Sequence, residues 1–540
     1  MKASDLLVKC LENEGVEYIF GLPGEETLDL MESIRTSSMR FILTRHEQTA
    51  AFMADAYGRL TGRPGVCVAT LGPGATNLLT GIADAYLDKS PLVSITGQAD
   101  LKRIHKESHQ YIDIVEINKS VTKWNGRIES PDIIPEMARK AFKVAVTEKP
   151  GPVHLELPEN IAAMEVNPTY ATMIAAIRPR RSSPDRQSLR KAAELIEQAR
   201  FPVILSGHGV VRKAADIQLR KFAELLCMPV VTTFMGKGGI SAESDCCIGT
   251  LGLSNDRQIR DVFSQADLIV AVGYDLVEFA PKNWNPMLDK KIIHIDFTTS
   301  EVDLHYVPEI EIISDIRETL ELLEGMLSTN KKSECLVSLR RDFIEGFERE
   351  GRVDSWPPKP PRIIYGIRKV LMPDDILISD VGVCKFWAAK FYPVYRNNTF
   401  ILSNGFASMG FALPSAMAAK LIHPERNIVA LCGDGGFLMN VQDLETACRL
   451  QLNIVVVIFN DSCYNLIKWK SEKKFGTSFG VSFTNPDFVR LAESFGAAGI
   501  RLKSSAAFED ALRDGLTKTV PVIIDVPIDY SDNDMISNLL

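Results

Sequence analysis

The sequence predicts a chain of three α/β domains, each built on a parallel sheet with helices on both faces. Short apolar runs alternate with helical segments along most of the chain, which is typical of parallel strands joined by crossover helices. The chain has 540 residues, too many for one hydrophobic core, and a loop-like stretch and a proline-rich stretch divide it. The predicted domains span residues 1–165, 186–345 and 363–540.

The composition is that of a soluble globular protein and argues against several classes of partner. The net charge is −8 and no long basic run occurs, so nucleic acid and acidic membranes are poor partners. No apolar stretch reaches the length of a membrane span, and the acid-bearing N-terminal segment lacks the features of a signal peptide. The ten cysteines are scattered, with Cys246-Cys247 the only adjacent pair, which favours reduced core thiols in a cytoplasmic protein.

In the first domain, three loops are expected at the ligand-binding edge of the sheet. Residues 21–24, 45–47 and 71–77 each follow a predicted strand, and open parallel sheets bind ligands at the carboxyl ends of their strands. The predicted strands are Tyr18–Phe20, Phe41–Leu43, Val66–Ala69, Leu92–Ile95 and Val153–Leu157.

Glu47 opens a predicted apolar helix, Gln48 to Leu60. A carboxylate at this position is often only an acid that the helix dipole favours. The alternative is a partly buried carboxyl that exchanges a proton with a ring nitrogen of a ligand. The residues alone leave both interpretations open.

Two further segments carry residues that are typical of ligand sites. The polar loop 103–125 carries His105 and His109, but this spacing suits zinc only on a helix and with a third ligand, so no zinc site is predicted. Gly207-His208-Gly209 lacks the third glycine of a dinucleotide fingerprint, and a plain β-turn is favoured. This segment follows the first predicted strand of the central domain. The predicted strands of that domain are Val203–Leu205, Val230–Thr232, Leu268–Val272 and Ile292–Ile295.

The third domain contains the most informative stretch. An apolar run ends in a predicted loop, Gly433-Asp434-Gly435-Gly436, and a helical segment follows. A second strand run, Ile454 to Phe459, ends in Asn460-Asp461. This βαβ unit places both aspartates at the carboxyl ends of parallel strands. The glycines let backbone N–H groups approach a phosphate, and two carboxylates beside a phosphate require a hard cation such as Mg²⁺. A phosphate mononucleotide remains an alternative ligand.

These motifs together resemble the thiamine diphosphate-dependent enzymes. The resemblance rests on GDG followed by an Asn-Asp pair, with Asp461 27 residues after Asp434, and on motifs in the first and third domains: FGLPG (20–24), RHEQTAAFMADAYGRLTG (45–62), LGPGATN (71–77) and SNGFASMG (403–410). It implies Mg²⁺ held by Asp434, Asp461 and the backbone carbonyl of Cys463, with the metal binding the cofactor's diphosphate.

The resemblance also implies which residues contact the cofactor. Glu47 would hydrogen-bond its aminopyrimidine ring, Met409 would hold it in a bent shape, and the backbone of Ala407 would bind its 4′-amino group. The other residues implied to contact the cofactor are Gly24, Gly433, Gly435, Gly436, Tyr464, Asn465 and Leu466.

Within this family the chain resembles the catabolic acetolactate synthases, on SHQYID (108–113), GYDLVEFAPKNWN (273–285) and NDSCYNLI (460–467). The implied reaction joins two pyruvate molecules into 2-acetolactate with loss of carbon dioxide. Gln110, with His109, would position the keto acid. The implied assembly is a homodimer at minimum, commonly a tetramer, with Glu47 of one subunit and Asp434 of the other at each site.

Departures from the family pattern define the alternatives. Cys384 stands where a histidine is usual near the diphosphate, and Lys470 where catabolic enzymes carry a glutamine near the acceptor; Lys470 could equally be a solvated lysine of the run KWKSEKK. Flavin-binding relatives carry an arginine where Asp275 follows Tyr274 here, so no FAD is expected. Other candidate functions are a benzoylformate- or oxalyl-CoA decarboxylase-like enzyme, or a non-catalytic paralogue, which would not need Glu47.

Overall fold

The computed structural model describes residues 1–167, 172–177, 181–252, 257–328 and 334–536. These residues form three sheets of six strands each, and every paired strand is parallel to its neighbour. The predicted fold class is therefore confirmed: parallel strands need crossover connections, and helices supply them.

The strands are β1 Tyr18–Gly21, β2 Arg40–Leu43, β3 Gly65–Ala69, β4 Leu92–Gln98, β5 Trp124–Arg127, β6 Pro152–Pro158, β7 Pro202–Ser206, β8 Val230–Thr232, β9 Cys247–Thr250, β10 Leu268–Val272, β11 Lys291–Asp296, β12 Ile310–Ile313, β13 Ile376–Ser379, β14 Phe400–Leu402, β15 Ile428–Gly433, β16 Val455–Asn460, β17 Ala498–Arg501 and β18 Val522–Pro527.

The helices are α1 Ala3–Asn13, α2 Leu28–Arg35, α3 Glu47–Thr61, α4 Pro73–Leu87, α5 Ile114–Asn118, α6 Ile134–Val146, α7 Glu159–Ala162, α8 Arg186–Gln198, α9 His208–Arg212, α10 Asp216–Leu226, α11 Arg257–Gln265, α12 Ile316–Glu324, α13 Glu334–Gly351, α14 Pro360–Val370, α15 Val383–Phe391, α16 Ala412–Ile422, α17 Asp434–Phe437, α18 Leu444–Arg449, α19 Asn465–Phe475, α20 Phe488–Phe495 and α21 Phe508–Thr517.

The described chain divides into two compact units. The first contains the described residues up to 177 together with Gly405–Pro424 and Leu438–Leu452. The second contains the described residues from 181 to Asn404, with Glu425–Phe437 and those from Asn453 onward.

The first unit is built on the sheet β2-β1-β3-β4-β6-β5. Helix α3 is alanine-rich and is buried along nearly its whole length, so it has almost no solvent-facing surface. It packs against α4 and α16, and Phe52 meets Phe411 edge to face. It ends at Gly62, whose φ of 66° gives the left-handed C-cap that glycine adopts without strain.

The second unit contains the sheets β12-β11-β10-β7-β8-β9 and β14-β13-β15-β16-β18-β17. The central strands β15 and β16 are buried along almost their whole length, because helices cover both faces of the sheet. They pair directly, with Gly433 opposite Phe459, so the residues that follow both strands lie at one edge of the sheet.

Several sequence-based predictions need correction. The stretch 103–125 is not all loop, since it contains α5 and the start of β5. Gly207 to Gly209 is not a plain β-turn, because α9 begins at His208. Asp434 lies in the single helical turn α17 and not in a loop.

The two predicted linkers are the loop-like stretch 167–185 and the proline-rich stretch SWPPKPPR (355–362). Residues 168–171 and 178–180 of the first, and 331–333 before the second, are not described, while 172–177 and 181–185 form neither helix nor strand. No helix in the described part of the chain has the length and apolar character of a membrane span. The cysteines whose side chains are described are all free thiols, as predicted.

Candidate active site

The predicted site residues fall into two groups, one within each compact unit. Glu47, Gln110 and Met409 belong to the first unit, and Asp434 and Asp461 to the second.

Glu47 is the first residue of α3 and is only 5% exposed. The cap before it is His46, whose Nδ1 accepts a hydrogen bond from the backbone N–H of Gln48 at 3.1 Å. Asn77, on α4, donates its side-chain N–H to Oε2 of Glu47 at 2.9 Å. The carboxyl is thus buried and held by one oxygen, which leaves Oε1 as the oxygen with more free hydrogen-bonding capacity.

Asn77 was not identified as a site residue from the sequence, although its motif, LGPGATN, was. The spacing of Glu47 and Asn77 carries no signal for the contact, because it depends on how α3 packs against α4. A polar residue one turn into a helix that follows a glycine-rich loop is the feature that could have indicated it.

Gln110 lies on an exposed loop that approaches the start of α4. Its φ is 58°, an uncommon left-handed conformation for a residue other than glycine. A Cβ on Gly72 would come within 2.8 Å of the backbone oxygen of Gln110, so this close approach requires glycine. Both Gln110 and His109 are exposed, and their contact with the keto acid stays a prediction.

The loop that carries Ala407 and Met409 is anchored to helix α3. The side-chain amide of Asn440 donates to the carbonyl of Gly410 at 2.7 Å, and its Oδ1 accepts from the hydroxyl of Thr49 at 3.3 Å. Ala407 has a φ of 55°, so its backbone is held in a strained left-handed conformation. A strained backbone held by a buried polar contact is typical of a ligand-binding loop.

Beneath this loop lies a buried ion cluster that sequence analysis did not identify. Arg59 of α3 donates to Asp55 at 2.8 and 2.7 Å, to Asp84 at 3.0 Å and to Asp88 at 2.9 Å. Asp88 in turn accepts from the backbone N–H of Gly405, at the start of the loop. The cluster therefore connects α3 and α4 to the segment that leads to Ala407.

Gly24 has a packing role in this structure. A Cβ there would lie 2.3 Å from the side chain of Thr70, so the loop after β1 can approach the end of β3 only with glycine. A contact of Gly24 with a cofactor stays a prediction.

In the second unit, Asp434 follows β15 and is 2% exposed. Its Oδ2 accepts from the backbone N–H groups of Asp461, at 3.1 Å, and Ser462, at 2.6 Å, and from the side chain of Asn485 at 2.7 Å. Its Oδ1 accepts from the N–H of Gly435 at 2.8 Å. Burial raises the pKa of Asp434, and these four donors oppose the rise by stabilising the carboxylate.

Asp461 follows β16 and lies next to Asp434. Burial raises its pKa to about 7, and the negative charge of Asp434 adds to the rise. The side-chain amide of Asn465 donates to Oδ2 of Asp461 at 2.9 Å, and this hydrogen bond opposes the rise in pKa. The charge of Lys468 also opposes the rise in the pKa of Asp461, but the net shift stays upward. Two neighbouring carboxylates, one buried and one half-buried, are a donor set that a divalent metal would stabilise.

The segment after Asp461 presents a free carbonyl. Tyr464 donates its N–H to Val481, and Phe483 donates to the carbonyl of Ser462, so this segment pairs antiparallel with residues 481–483. The carbonyl of Cys463, between these two bonds, accepts no hydrogen bond from any described residue. It is thus available as the third metal ligand that the resemblance implies.

The remaining predicted residues surround this pair of carboxylates. A Cβ on Gly433 would meet nothing within 4 Å, so the end of β15 is open, whereas one on Gly435 would lie 2.6 Å from the ring of Tyr464. A Cβ on Gly436 would lie 3.2 Å from the carboxyl of Asp380. Leu466 packs on the hydrophobic core beneath.

The two departures from the family pattern differ in their surroundings. The Cys384 thiol is buried, and burial raises its pKa to about 12. Its Sγ lies 3.5 Å from the carbonyl of Asp380. Lys470 is half-buried on α19, and the structure does not assign it to a pocket.

The described residues fit a divalent metal bound by few protein ligands. No group of three or more His, Cys, Asp or Glu side chains suited to a metal occurs among them. Two carboxylates and one carbonyl do not form such a group, and they match Mg²⁺, which usually keeps several waters and binds phosphate oxygens.

Comparison with known proteins gives the family. Models of the thiamine pyrophosphate (thiamine diphosphate) enzymes match in three segments: the N-terminal binding domain over residues 1–117, the central domain over 189–323 and the C-terminal binding domain over 380–526. Acetolactate synthase of Bacillus subtilis is 34% identical over 537 residues, covering 98% of this chain and 94% of that protein. The chain belongs to the acetolactate synthase family of thiamine pyrophosphate enzymes.

Two other members of the acetolactate synthase family have a similar sequence identity to this chain. The catabolic acetolactate synthase of Raoultella terrigena is 33% identical over 543 residues, covering 99% of this chain and 97% of that protein. The large subunit of acetolactate synthase isozyme 3 of Escherichia coli is 31% identical over 554 residues, covering 99% and 96%. The similarity to both spans nearly the whole of this chain.

Proposed function

We propose that this protein is an acetolactate synthase that uses thiamine diphosphate and Mg²⁺ to join two pyruvate molecules into 2-acetolactate, releasing carbon dioxide. The observation that carries the proposal is the buried carboxyl of Glu47, held by Asn77, in a chain of this family. Cofactor binding alone does not need a buried carboxyl in this place, whereas proton exchange does.

Glu47 is the proton-exchanging residue of the proposal. Asn77 fixes its Oε2, and Oε1 exchanges a proton with the N1′ nitrogen of the cofactor's aminopyrimidine. When bound, thiamine diphosphate supplies a carbon nucleophile and an electron sink for decarboxylation. The backbone of Ala407 would hold the 4′-amino group, and Met409 would hold the cofactor bent.

Asp434, Asp461 and the carbonyl of Cys463 would hold Mg²⁺, and the metal would hold the diphosphate. The open end of β15 at Gly433 gives the phosphates room, and the backbone of residues 433–436 offers N–H groups to them. Tyr464, Asn465 and Leu466 complete this side of the proposed cofactor site.

Substrate contacts are assigned to the exposed loop of the first unit and to α19. Gln110, with His109 beside it, would position the keto acid. Lys470 would favour an acceptor that carries a carboxylate.

The proposed enzyme does not bind FAD. The buried carboxyl of Glu278 accepts hydrogen bonds from the backbone N–H groups of His208, at 3.1 and 3.0 Å to its two oxygens, and of Asp275, at 3.0 Å. A dinucleotide would need such N–H groups after β7 for its pyrophosphate, and here an internal carboxylate occupies them. Thr233 also donates to Glu278.

The proposed organisation follows the family. Residues 1–165 form the pyrimidine-binding domain, 186–345 the central domain and 363–540 the diphosphate-binding domain. A homodimer is the functional minimum and a homotetramer the expected assembly, in the cytoplasm, with no nucleic acid or membrane partner.

Incubation of the purified protein with pyruvate, thiamine diphosphate and Mg²⁺ tests the proposal. Acidification decarboxylates acetolactate, so acetoin should appear after acid treatment, and Glu47→Gln should abolish most of it. Acetaldehyde in place of acetoin would identify a decarboxylase, and cofactor binding without pyruvate consumption would identify a non-catalytic paralogue.

A further inference from the structure

Asn485 lies between α19 and α20 and reaches into the aspartate pair from a distant part of the sequence. Its side-chain nitrogen lies 2.7 Å from Oδ2 of Asp434, 2.9 Å from Oδ1 of Asn460 and 3.3 Å from the hydroxyl oxygen of Ser462. One amide therefore contacts both the residue after β15 and the turn after β16.

The hydrogen-bond network fixes the orientation of this amide. Arg501 donates to Asp525 at 3.0 Å, and the amide nitrogen of Asn460 donates to the other oxygen of Asp525 at 2.8 Å. Asn460 must therefore present its oxygen to Asn485. Because a carboxylate only accepts, Asp434 also requires the nitrogen of Asn485 on this side.

The consequence is an asymmetric environment for the Asp434 carboxylate. Oδ2 accepts from three donors, of which Asn485 provides the one side-chain donor, whereas Oδ1 accepts only from Gly435 among the described residues. The oxygen with remaining capacity for a cation is therefore Oδ1. In addition, Oδ1 of Asn485 is buried and has no hydrogen-bond partner among the described residues.

We propose that Asn485 is a positioning residue of the metal site, which ties Asp434 to the turn 460–462 and offers its own Oδ1 to a water ligand of the metal. The inference rests on the proposed function, because it takes Asp434 and Asp461 as the ligands of Mg²⁺. Mg²⁺ keeps water ligands that need acceptors, and groups that orient metal ligands set the affinity for the metal.

A purely structural role would give a different result. If Asn485 only held the turn, its loss would lower the thermal stability of the metal-free protein and leave the metal affinity of the folded protein unchanged. Asn453 is the matched control: it is also half-buried, donates one side-chain hydrogen bond, to Leu516 at 3.0 Å, and has a buried Oδ1 without a partner among the described residues. It precedes β16, at the opposite edge of the sheet.

The experiment measures Mn²⁺ binding to the full-length, metal-free protein with thiamine diphosphate present, using the electron paramagnetic resonance signal of free Mn²⁺. Asn485→Ala and the similarly shaped Asn485→Leu should each weaken binding about 10–100-fold, the usual effect of removing a group that orients a metal ligand. Asn453→Ala should bind within about twofold of wild type, and Asp434→Ala should not bind.

The outcomes test the role of Asn485 separately from the proposed metal site. If Asp434→Ala abolishes binding while both Asn485 variants bind like Asn453→Ala, Asn485 has no role at the metal and the proposed site stands. If Asp434→Ala itself binds Mn²⁺ like wild type, the proposed metal site is wrong. Melting temperatures of the metal-free variants identify any variant that does not fold, and the other Asn485 variant then decides.

Discussion

Replacing Arg59 by methionine should destabilise the first unit more than any surface substitution. The guanidinium is shared by Asp55, Asp84 and Asp88, and all four side chains are at most 4% exposed. It also lies over the ring of Phe411 at 4.9 Å. Removing one partner from a buried ion pair costs about 3–5 kcal/mol, because the remaining charge stays buried without compensation.

The stability that Arg59→Met loses should depend on pH. Burial already raises the pKa of Asp84 well above its ordinary value, and the charges of Asp88 and Asp55 raise it further. Without the charge of Arg59, which lowers the pKa of Asp84, this carboxyl should become harder still to ionise. An acid whose pKa is higher in the folded than in the unfolded state makes the folded protein less stable as pH rises through the interval between those two pKa values. The deficit of Arg59→Met should therefore be smaller at pH 5 than at pH 8.

Hydrogen exchange followed by mass spectrometry measures the local effect. Peptides from α3 and α4 should lose protection by about 3–5 kcal/mol, and the loop that starts at Gly405 should lose protection with them, since Asp88 holds it. The matched control is Arg352→Met, whose exposed guanidinium, just after the end of α13, pairs with Glu348 of that helix. Because exposed ion pairs contribute little to stability, this variant should exchange like the wild-type protein. Equal behaviour of the two variants would refute the reasoning.

Further outcomes can be measured directly. Glu47→Gln should lower turnover about 10²–10⁴-fold with cofactor affinity retained, and near-wild-type turnover would remove its assigned role. Lys237 is buried with Nζ 3.3 Å from Thr250, and burial lowers its pKa from 10.5 to about 8, so Lys237→Met should stabilise the protein by about 3 kcal/mol at pH 7. Because the folded pKa is the lower one, this gain should vanish between about pH 8 and 10.5, and a pH-independent difference in melting temperature would contradict it. Lys470→Gln should raise the KM for the second pyruvate. Unchanged kinetics would mean that Lys470 is a solvated lysine with no role at the acceptor. The purified protein should show no flavin absorbance and full activity without added FAD, whereas stoichiometric bound FAD would contradict the role given to Glu278.

The features that sequence predicted best are those with a local signal. β15 and β16 are continuous apolar runs because both faces of the sheet are covered, and their ends place Asp434 and Asp461 together without further information. Edge strands such as β5 and β17 were missed, since WNGR and AGIR are half-exposed and lack such a run.

Long-range polar contacts have no such signal. α9 starts at His208 because Glu278, 70 residues later, accepts from its backbone N–H, and the three residues Gly207 to Gly209 alone read as a turn. Asn77 and Asn485 likewise become visible only when helices and loops far apart in sequence pack together. Family resemblance supplied roles for the site residues, but not the groups that hold them.

The product of pyruvate turnover tests the central claim most directly. The purified protein is incubated with carbon-13-labelled pyruvate, thiamine diphosphate and Mg²⁺, and the reaction is followed by nuclear magnetic resonance without acid treatment. We expect 2-acetolactate and carbon dioxide in equal amounts, with two pyruvate molecules consumed for each, and loss of both products in Glu47→Gln. Acetaldehyde as the main product, or unchanged pyruvate with the cofactor bound, would contradict the claim.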